Sequence, residues 1–489
     1  MNYYIGMDLG TSGVKGVLFD KNGNIINSVL KEYDIISPCD GYAEEDPNIW
    51  LEKTIDALKE LTDVDYKDSI KGLGFSGQMH GLVLLDKDDN VLRNSIIWCD
   101  NRTGKEAKEI EETIGLEELK KITGNIPMPA FTLAKLLWVR NNEPDIYKKI
   151  NKAMLPKDYI CYMLTNKFLG EYSDTSGMQI MDIKKLDYSK ELLDKFDIDI
   201  NIFPKLIKST DIRGKLCDKY MNLLKLNNCN IVGGGGDQAV GAIGSGVTSE
   251  RDASIVLGSS GVIFSPLKDL LILNGEVQTF VTCEYNKYHV MGVTNGCGTS
   301  LKWVRDNVFG LDYNTMSKMA ENVNVGANNL YYLPYLMGER TPILDNDARG
   351  VFFGIKNTTD KAEMIRAVME GVGYSIKDVF ELIPKDKDRI FISGGGANSK
   401  LYREIIASMI NRAVTRIDCD ESPSLGAAIL AMVGNNEYDS ITNACKAIIK
   451  IKDETRPIKA WVDYYNNGYK IYKKIYNNTK TIFKEMKEI

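Results

Sequence analysis

The chain has 489 residues, 44% of them apolar and 26% charged, a balance that fits a folded protein of two or more domains and excludes disordered and low-complexity classes. A formal net charge of -6 works against capture of a polyanion by bulk attraction, so nucleic acid is not an expected partner. Nine scattered cysteines without a C-x-x-C pair point to reduced thiols; no segment reaches the ~18 uninterrupted apolar residues of a membrane span, and the chain opens directly on a strand, so the expected location is the cytoplasm, away from any membrane.

The first predicted element is a hairpin. Tyr3-Tyr4-Ile5-Gly6-Met7-Asp8 runs apolar, Leu9-Gly10-Thr11-Ser12-Gly13 turns, and Val14-Lys15-Gly16-Val17-Leu18-Phe19 runs apolar again to Asn22-Gly23. Small residues at such a tip let phosphate approach backbone N–H groups, and the Thr11 and Ser12 hydroxyls add donors. A strand rather than a helix follows, which disfavours dinucleotide and Walker loops. Asp8 repels phosphate by itself but becomes attractive through Mg²⁺, which makes it the metal candidate. Lys15 either neutralises charge on a transferring group or is simply solvated.

Strand-like runs at 72–75 and 82–85 flank the loop Gly77-Gln78-Met79-His80-Gly81. His80 there either hydrogen-bonds a sugar hydroxyl while Met79 packs on the carbon chain, or is a structural loop histidine. With only His80 and His289 in the chain, mechanisms that need a histidine pair or a His-rich metal site lack material. Trp98-Cys99-Asp100-Asn101-Arg102 sets a flat apolar face beside polar forks, a pairing that suits a polyol and equally suits a buried Trp beside a salt bridge.

Ile231-Val232 leads through Gly233, Gly234, Gly235 and Gly236 to Asp237 and Gln238 at the start of a helix. Asp237 is either the N-cap of that helix or a general base brought to a ligand by flexible glycines. After Gly244-Ser245-Gly246 the pattern restarts: Leu257-Gly258-Ser259-Ser260-Gly261-Val262 nearly copies residues 9–14, which predicts two related halves, 1–246 and 247–489, facing one cleft. Downstream come a helix over 363–379, a strand at 390–392, and Ser393-Gly394-Gly395-Gly396-Ala397-Asn398, where adenosine meets backbone without side chains or the chain merely turns tightly into a helix. A terminal helix with Trp461, Tyr465, Tyr469, Tyr472, Tyr476 and Phe483 on one face is expected to pack on the second half. Mixed strands and helices with glycine-rich strand ends predict an α/β class.

Taken together, these motifs resemble the FGGY carbohydrate kinases, and among them the kinases that take D-xylulose. Further matching stretches are Phe131-Thr132-Leu133-Ala134-Lys135-Leu136-Leu137-Trp138, Leu155-Pro156-Lys157-Asp158-Tyr159, Gly338-Glu339-Arg340-Thr341-Pro342 and Gly350-Val351-Phe352-Phe353-Gly354. The resemblance implies two actin-like, ribonuclease H-like ATPase domains around an interdomain cleft and ATP-dependent, Mg²⁺-assisted phosphorylation of a ketose at carbon five. It implies sugar contacts from Met79, His80, Trp98, Asp100, Asp237 and Gln238, with Asp237 as proton acceptor. Thr11, Ser12, Lys15, Gly258, Ser259, Ser260, Gly394, Gly395, Gly396 and Asn398 would meet ATP, and Asp8 the metal. Gln238 stands where many of these kinases place Asn, and Ser259 where Thr is usual, so the exact ketose is open, as is assembly, a homodimer included. Glu339 and Arg340 match the pattern without a physical role beyond an interdomain loop.

Overall fold

The computed structural model describes residues 1–487. The first half is built on a seven-stranded sheet. The opening hairpin, β1 (Tyr3–Leu9) and β2 (Gly13–Asp20), continues antiparallel into β3 (Ile25–Glu32). Asp46 then caps α1 (Pro47–Thr62), accepting the Asn48 amide at 2.8 Å, and proline at the first helical position costs nothing because its missing N–H would be unpaired there. β4 (Ile70–Gly77) pairs parallel with β1.

An insertion follows with its own core, including Leu84, Leu133, Leu137 and Met178, and carrying α2 (Thr132–Asn142) and α3 (Pro156–Thr165). β5 (Ile212–Lys215) and β6 (Asn230–Val232) return the chain to the sheet, whose order is β5-β6-β4-β1-β2-β3. Gly235 and Gly236 extend it as a short pairing with β4, and α4 (Asp237–Gly244) begins at once. The expected division near residue 246 falls in the turn after α4.

The second half repeats the plan. β7 (Asp252–Leu257) and β8 (Gly261–Leu267) form a hairpin, and β9 (Gln278–Val281) and β10 (Tyr288–Thr294) extend it antiparallel. α5 (Gly298–Trp303) and α6 (Lys361–Phe380) precede β11 (Arg389–Ser393), which pairs parallel with β7 as β4 does with β1. α6 opens with a capping box between Asp360 and Glu363. α7 (Lys400–Ile410), β12 (Val414–Ile417), α8 (Ser422–Gly434) and β13 (Ile451–Thr455) complete a seven-stranded sheet of order β9-β10-β8-β7-β11-β12-β13. The final helix, α9 (Lys459–Lys487), buries Tyr465, Tyr472 and Phe483 in the second core.

The copy is not exact. In the first hairpin Leu9 pairs with Val14, and the Gly10 amide donates to Gly13 O at 3.0 Å. In the second, Leu257 pairs with Gly261, and the Gly258 amide reaches Ser260 O at 3.1 Å, so the second tip is one residue tighter.

α8 is apolar all round because it is buried all round, and it lies against the first half rather than the second. Its backbone comes so close to β1, β4 and α4 that a Cβ on Gly6 would stand 1.7 Å from Ser424 O, and one on Gly74 1.9 Å from Ala427 O. That approach joins the halves along one continuous core containing Tyr4, Val240, Leu425 and Ala428.

Candidate active site

The carboxyl ends of the parallel strands β1 and β4 open into the groove between the halves, the usual ligand position in such sheets. Asp8 lies there opposite Ser76, and its Oδ1 is buried with no hydrogen-bond partner. Burial raises its pKa above the ordinary carboxylate value; the Ser76 hydroxyl opposes the shift and the Glu421 charge adds to it.

Asp237 is the first residue of α4, and its Oδ1 accepts the Gln238 amide at 2.7 Å. Burial, then the nearby charge of Asp8, push its carboxyl up to about 7. The glycine run before it is not flexible, contrary to the expectation from sequence. The Gly233 and Gly234 amides donate to Asp211 O and Ser209 O at 2.9 and 3.0 Å, and the Gly236 amide to Ser173 Oγ at 3.3 Å. Buried Lys157 and Arg213 donate to Gly233 O at 3.4 and 3.2 Å. Side chains are excluded because a Cβ on Gly234, whose φ is +74°, would lie 2.3 Å from Phe75 O. The glycines thread a crowded passage and hold Asp237 at its mouth.

Asp237 and Gln238 form a wall common to two cavities. One, of about 180 Å³, is lined by Met79, His80, Trp98, Phe131, Gln278 and Arg340 among others. The other, a cleft of about 460 Å³, is lined by Asp8, Gly10, Gly394, Gly395, Asn398 and the first turn of α8. Gly395 and Asn398 in turn line a third cavity of about 420 Å³, with Gly258, Ser259, Gly396, Met316, Met369 and Tyr402. The three run in series across both halves: a small polar-and-aromatic chamber, a charged and glycine-rich middle, and an apolar chamber of nearly the middle's size.

In the small chamber His80 has a left-handed backbone, φ +69°, uncommon for a residue with a Cβ. Its carbonyl is held by Lys135 Nζ at 2.7 Å and Thr132 Oγ1 at 3.1 Å. Its Nδ1 stands 2.8 Å from Gly177 O, so Nδ1 carries the hydrogen and Nε2 is left as an acceptor. Burial first, then the Lys135 charge, lower its pKa to about 3, keeping the ring neutral. Trp98 donates from Nε1 to Thr11 Oγ1 at 2.9 Å, tying the first hairpin tip to this chamber.

Several expected residues stand elsewhere. Asp100 is 1% exposed and lines none of the three cavities; its carboxylate takes the Ala43 amide at 2.6 Å and Arg102 Nη2 at 2.7 Å, and so braces the loop bearing Trp98 instead of facing a sugar. Thr11 and Ser12 do not line the cleft: Thr11 accepts from Trp98, and Ser12 O accepts the Tyr33 amide at 3.2 Å. Lys15 is paired at 2.9 Å with Glu421, the residue that precedes α8. Ser260 lines the small chamber rather than the cleft of about 460 Å³. Arg340, quoted in the sequence without a role, lines the small chamber, and no local pattern marked it because its neighbours there come from distant segments. Among the described residues no group of three His, Cys, Asp or Glu side chains has the arrangement to hold a metal unaided.

Models of the FGGY family of carbohydrate kinases match the chain as an N-terminal domain over residues 3–244 and a C-terminal domain over residues 253–434. A xylulose kinase of Staphylococcus xylosus is 37% identical over 483 residues, spanning 98% of this chain and 100% of its own length. Two solved structures from Lactobacillus acidophilus, a ligand-bound xylulose kinase and a gluconate kinase, are each 28% identical and align with TM-scores of 0.95 and 0.93, each covering 99% of this chain and 100% and 99% of their own.

Proposed function

The chain belongs to the FGGY family of carbohydrate kinases, and from that premise we propose that it transfers the terminal phosphoryl group of ATP to D-xylulose, giving D-xylulose 5-phosphate. The observation that carries this reading is the common wall formed by Asp237: one carboxylate borders both the chamber sized for a small polyol and the cleft that leads to the apolar chamber.

In this reading the sugar lies against Met79 and Trp98, and a hydroxyl donates to His80 Nε2. Asp237, with Oδ1 occupied by the Gln238 amide, receives the proton of the terminal hydroxyl at Oδ2 as the new P–O bond forms and the bond to the β-phosphate oxygen breaks. A carboxyl lifted to about 7 is a better base than a free one, which suits this task near neutral pH. Adenosine occupies the apolar chamber against Gly258, Ser259, Gly396 and Asn398, and Gly394 and Gly395 border the phosphates.

The unpartnered Oδ1 of Asp8 fits Mg²⁺, which commonly takes one or two carboxylates and completes its shell with phosphate oxygens and water. When bound, the ion would neutralise charge on the phosphates. Lys15 would reach the same phosphates only by leaving Glu421. The cytoplasm is the proposed setting, supported by nine free cysteines; among the described residues no helix is long and apolar enough to cross a membrane.

The test is a coupled ADP-release assay across pentuloses, hexuloses, aldonates and glycerol, with wild type and Asp237→Ala. D-xylulose is expected to give the highest kcat/KM, and Asp237→Ala to bind ATP normally while sugar phosphorylation falls about 10³-fold or more. An Asp237→Ala protein that turns over normally removes the base assignment; indifference to every ketose removes the substrate.

A further inference from the structure

Arginine is almost never buried in this chain without a carboxylate. Arg102, Arg213 and Arg366 meet Asp100, Asp158 and Glu370 at 2.7, 2.5 and 2.7 Å. Arg340, half-buried, differs from these three. Its backbone amide donates to Glu339 Oε1 at 2.7 Å, but among the described residues its guanidinium has no hydrogen-bond or ion-pair partner. The obvious candidate partner is next door and already committed. Glu339 Oε1 also accepts the Asn295 amide at 2.7 Å, and Oε2 accepts from Ser375 Oγ at 3.5 Å, so this buried carboxylate shapes the loop, and Arg340 feels its charge without a hydrogen bond or ion pair between the side chains.

A half-buried cation that loses water without gaining a close partner is costly, and a guanidinium offers five donors in a rigid planar fork. Arg340 lines the chamber shared with His80 and Asp237, where it is the one cation among the lining groups and the Asp237 carboxylate and His80 Nε2 are acceptors. Sugar oxygens accept as well as donate, so they match the arginine. Asp237 marks the end of the chamber where the phosphoryl group arrives, because it also borders the phosphate cleft; Arg340 borders the small chamber and not that cleft.

We infer that Arg340 is a specificity-determining residue: its guanidinium binds the carbonyl and hydroxyl oxygens of the acceptor sugar away from the hydroxyl that is phosphorylated, supplying the second half's grip on that substrate. The inference rests on the reading of this chamber as the ketose site.

The experiment compares wild type with Arg340→Met and Arg340→Lys, measuring KM for D-xylulose and ATP, calorimetric binding of D-xylulose alone, and melting temperature. Arg340→Met is expected to raise KM and the dissociation constant for the sugar by about 10- to 100-fold, the range for losing hydrogen bonds to a charged group. Arg340→Lys should recover part of the loss, KM for ATP should stay within about twofold by the argument that Arg340 does not border the nucleotide cavities, and the Met protein should melt no lower than wild type, since it no longer buries an unpaired charge. Unchanged sugar affinity in Arg340→Met overturns the inference, as does an equal weakening of ATP. Failure of the underlying reading looks different: wild type would ignore ketoses. If it then took gluconate and Arg340→Met lost gluconate binding, the contact would stand with a carboxylate as its ligand; if gluconate binding survived, the contact would fall too.

Discussion

Burial makes neutral rings of both histidines, but only one has work at the site. His80 is anchored through Nδ1 and borders the small chamber, whereas His289 on β10 is stacked on Phe264 at 4.1 Å with both ring nitrogens buried and unpartnered. Burial alone lowers the His289 pKa from its ordinary 6.5 to about 3. Between those values the unfolded chain takes up a proton that the folded chain refuses, so this group favours unfolding increasingly as pH falls from 6.5 towards 3, by about 1.4 kcal/mol per pH unit. His289→Phe, close in shape and free of unpaired nitrogens, is expected to unfold at higher urea than wild type, with a gain larger at pH 5 than at pH 7.5. An equal gain at both pH values would mean the ring protonates while folded. At this scale Asp8 and Asp237 were legible in the sequence because each sits beside a glycine-rich turn that advertises close ligand approach. Asp100 misled: a carboxylate next to an arginine reads alike whether it faces ligand or braces a loop, and only the Ala43 amide, 57 residues away, decides between them.

Among elements, α8 does most to fix the site, since its first turn lines the phosphate cleft while its body lies on β1 and β4. The fit depends on glycine at Gly6 and Gly74, where the obstructing atoms are helix backbone and cannot rotate away. Gly6→Ala is therefore expected to cost about 3 kcal/mol or more in urea unfolding, at the upper end of overpacking effects. Gly104→Ala, with nothing within 4 Å of the added methyl, should be neutral or slightly stabilising at the start of its helix. A Gly6→Ala protein as stable as that control would show that α8 shifts to make room. The hairpins, the helix at Lys361–Phe380 and the aromatic stripe of α9 followed from local periodicity. The destination of α8 did not, because an all-apolar helix announces burial but not against which sheet. The tighter second tip was equally hidden, since hairpins with nearly the same six residues differ in register by one pairing.

At the scale of the whole molecule, neither half encloses these cavities by itself. The small chamber takes Met79, His80, Trp98 and Asp237 from the first half and Val262, Gln278 and Arg340 from the second; the cleft takes Asp8 and Asp237 from one and Gly394 and Asn398 from the other. Ligands that touch both walls favour whatever arrangement brings the walls nearest, and can shift the halves only by their differential affinity for that arrangement. The joint between the halves is close-packed: α4 and α8 meet with almost no intervening side chains, since a Cβ on Gly244 would stand 1.7 Å from Ser422 O, and the partly exposed Lys15–Glu421 pair lies at the same place, one residue before α8. Such a pair contributes little, so the joint rests on that backbone packing, and any approach of the walls would turn about it. D-xylulose together with a non-hydrolysable ATP analogue is therefore expected to reduce the radius of gyration in solution scattering by more than either ligand alone. Both ligands should also raise the melting temperature, each adding about 2.7 kcal/mol at a concentration a hundred times its dissociation constant. Stabilisation without contraction would mean that the walls already stand at their working distance and that water leaves the chambers by displacement, not by closure.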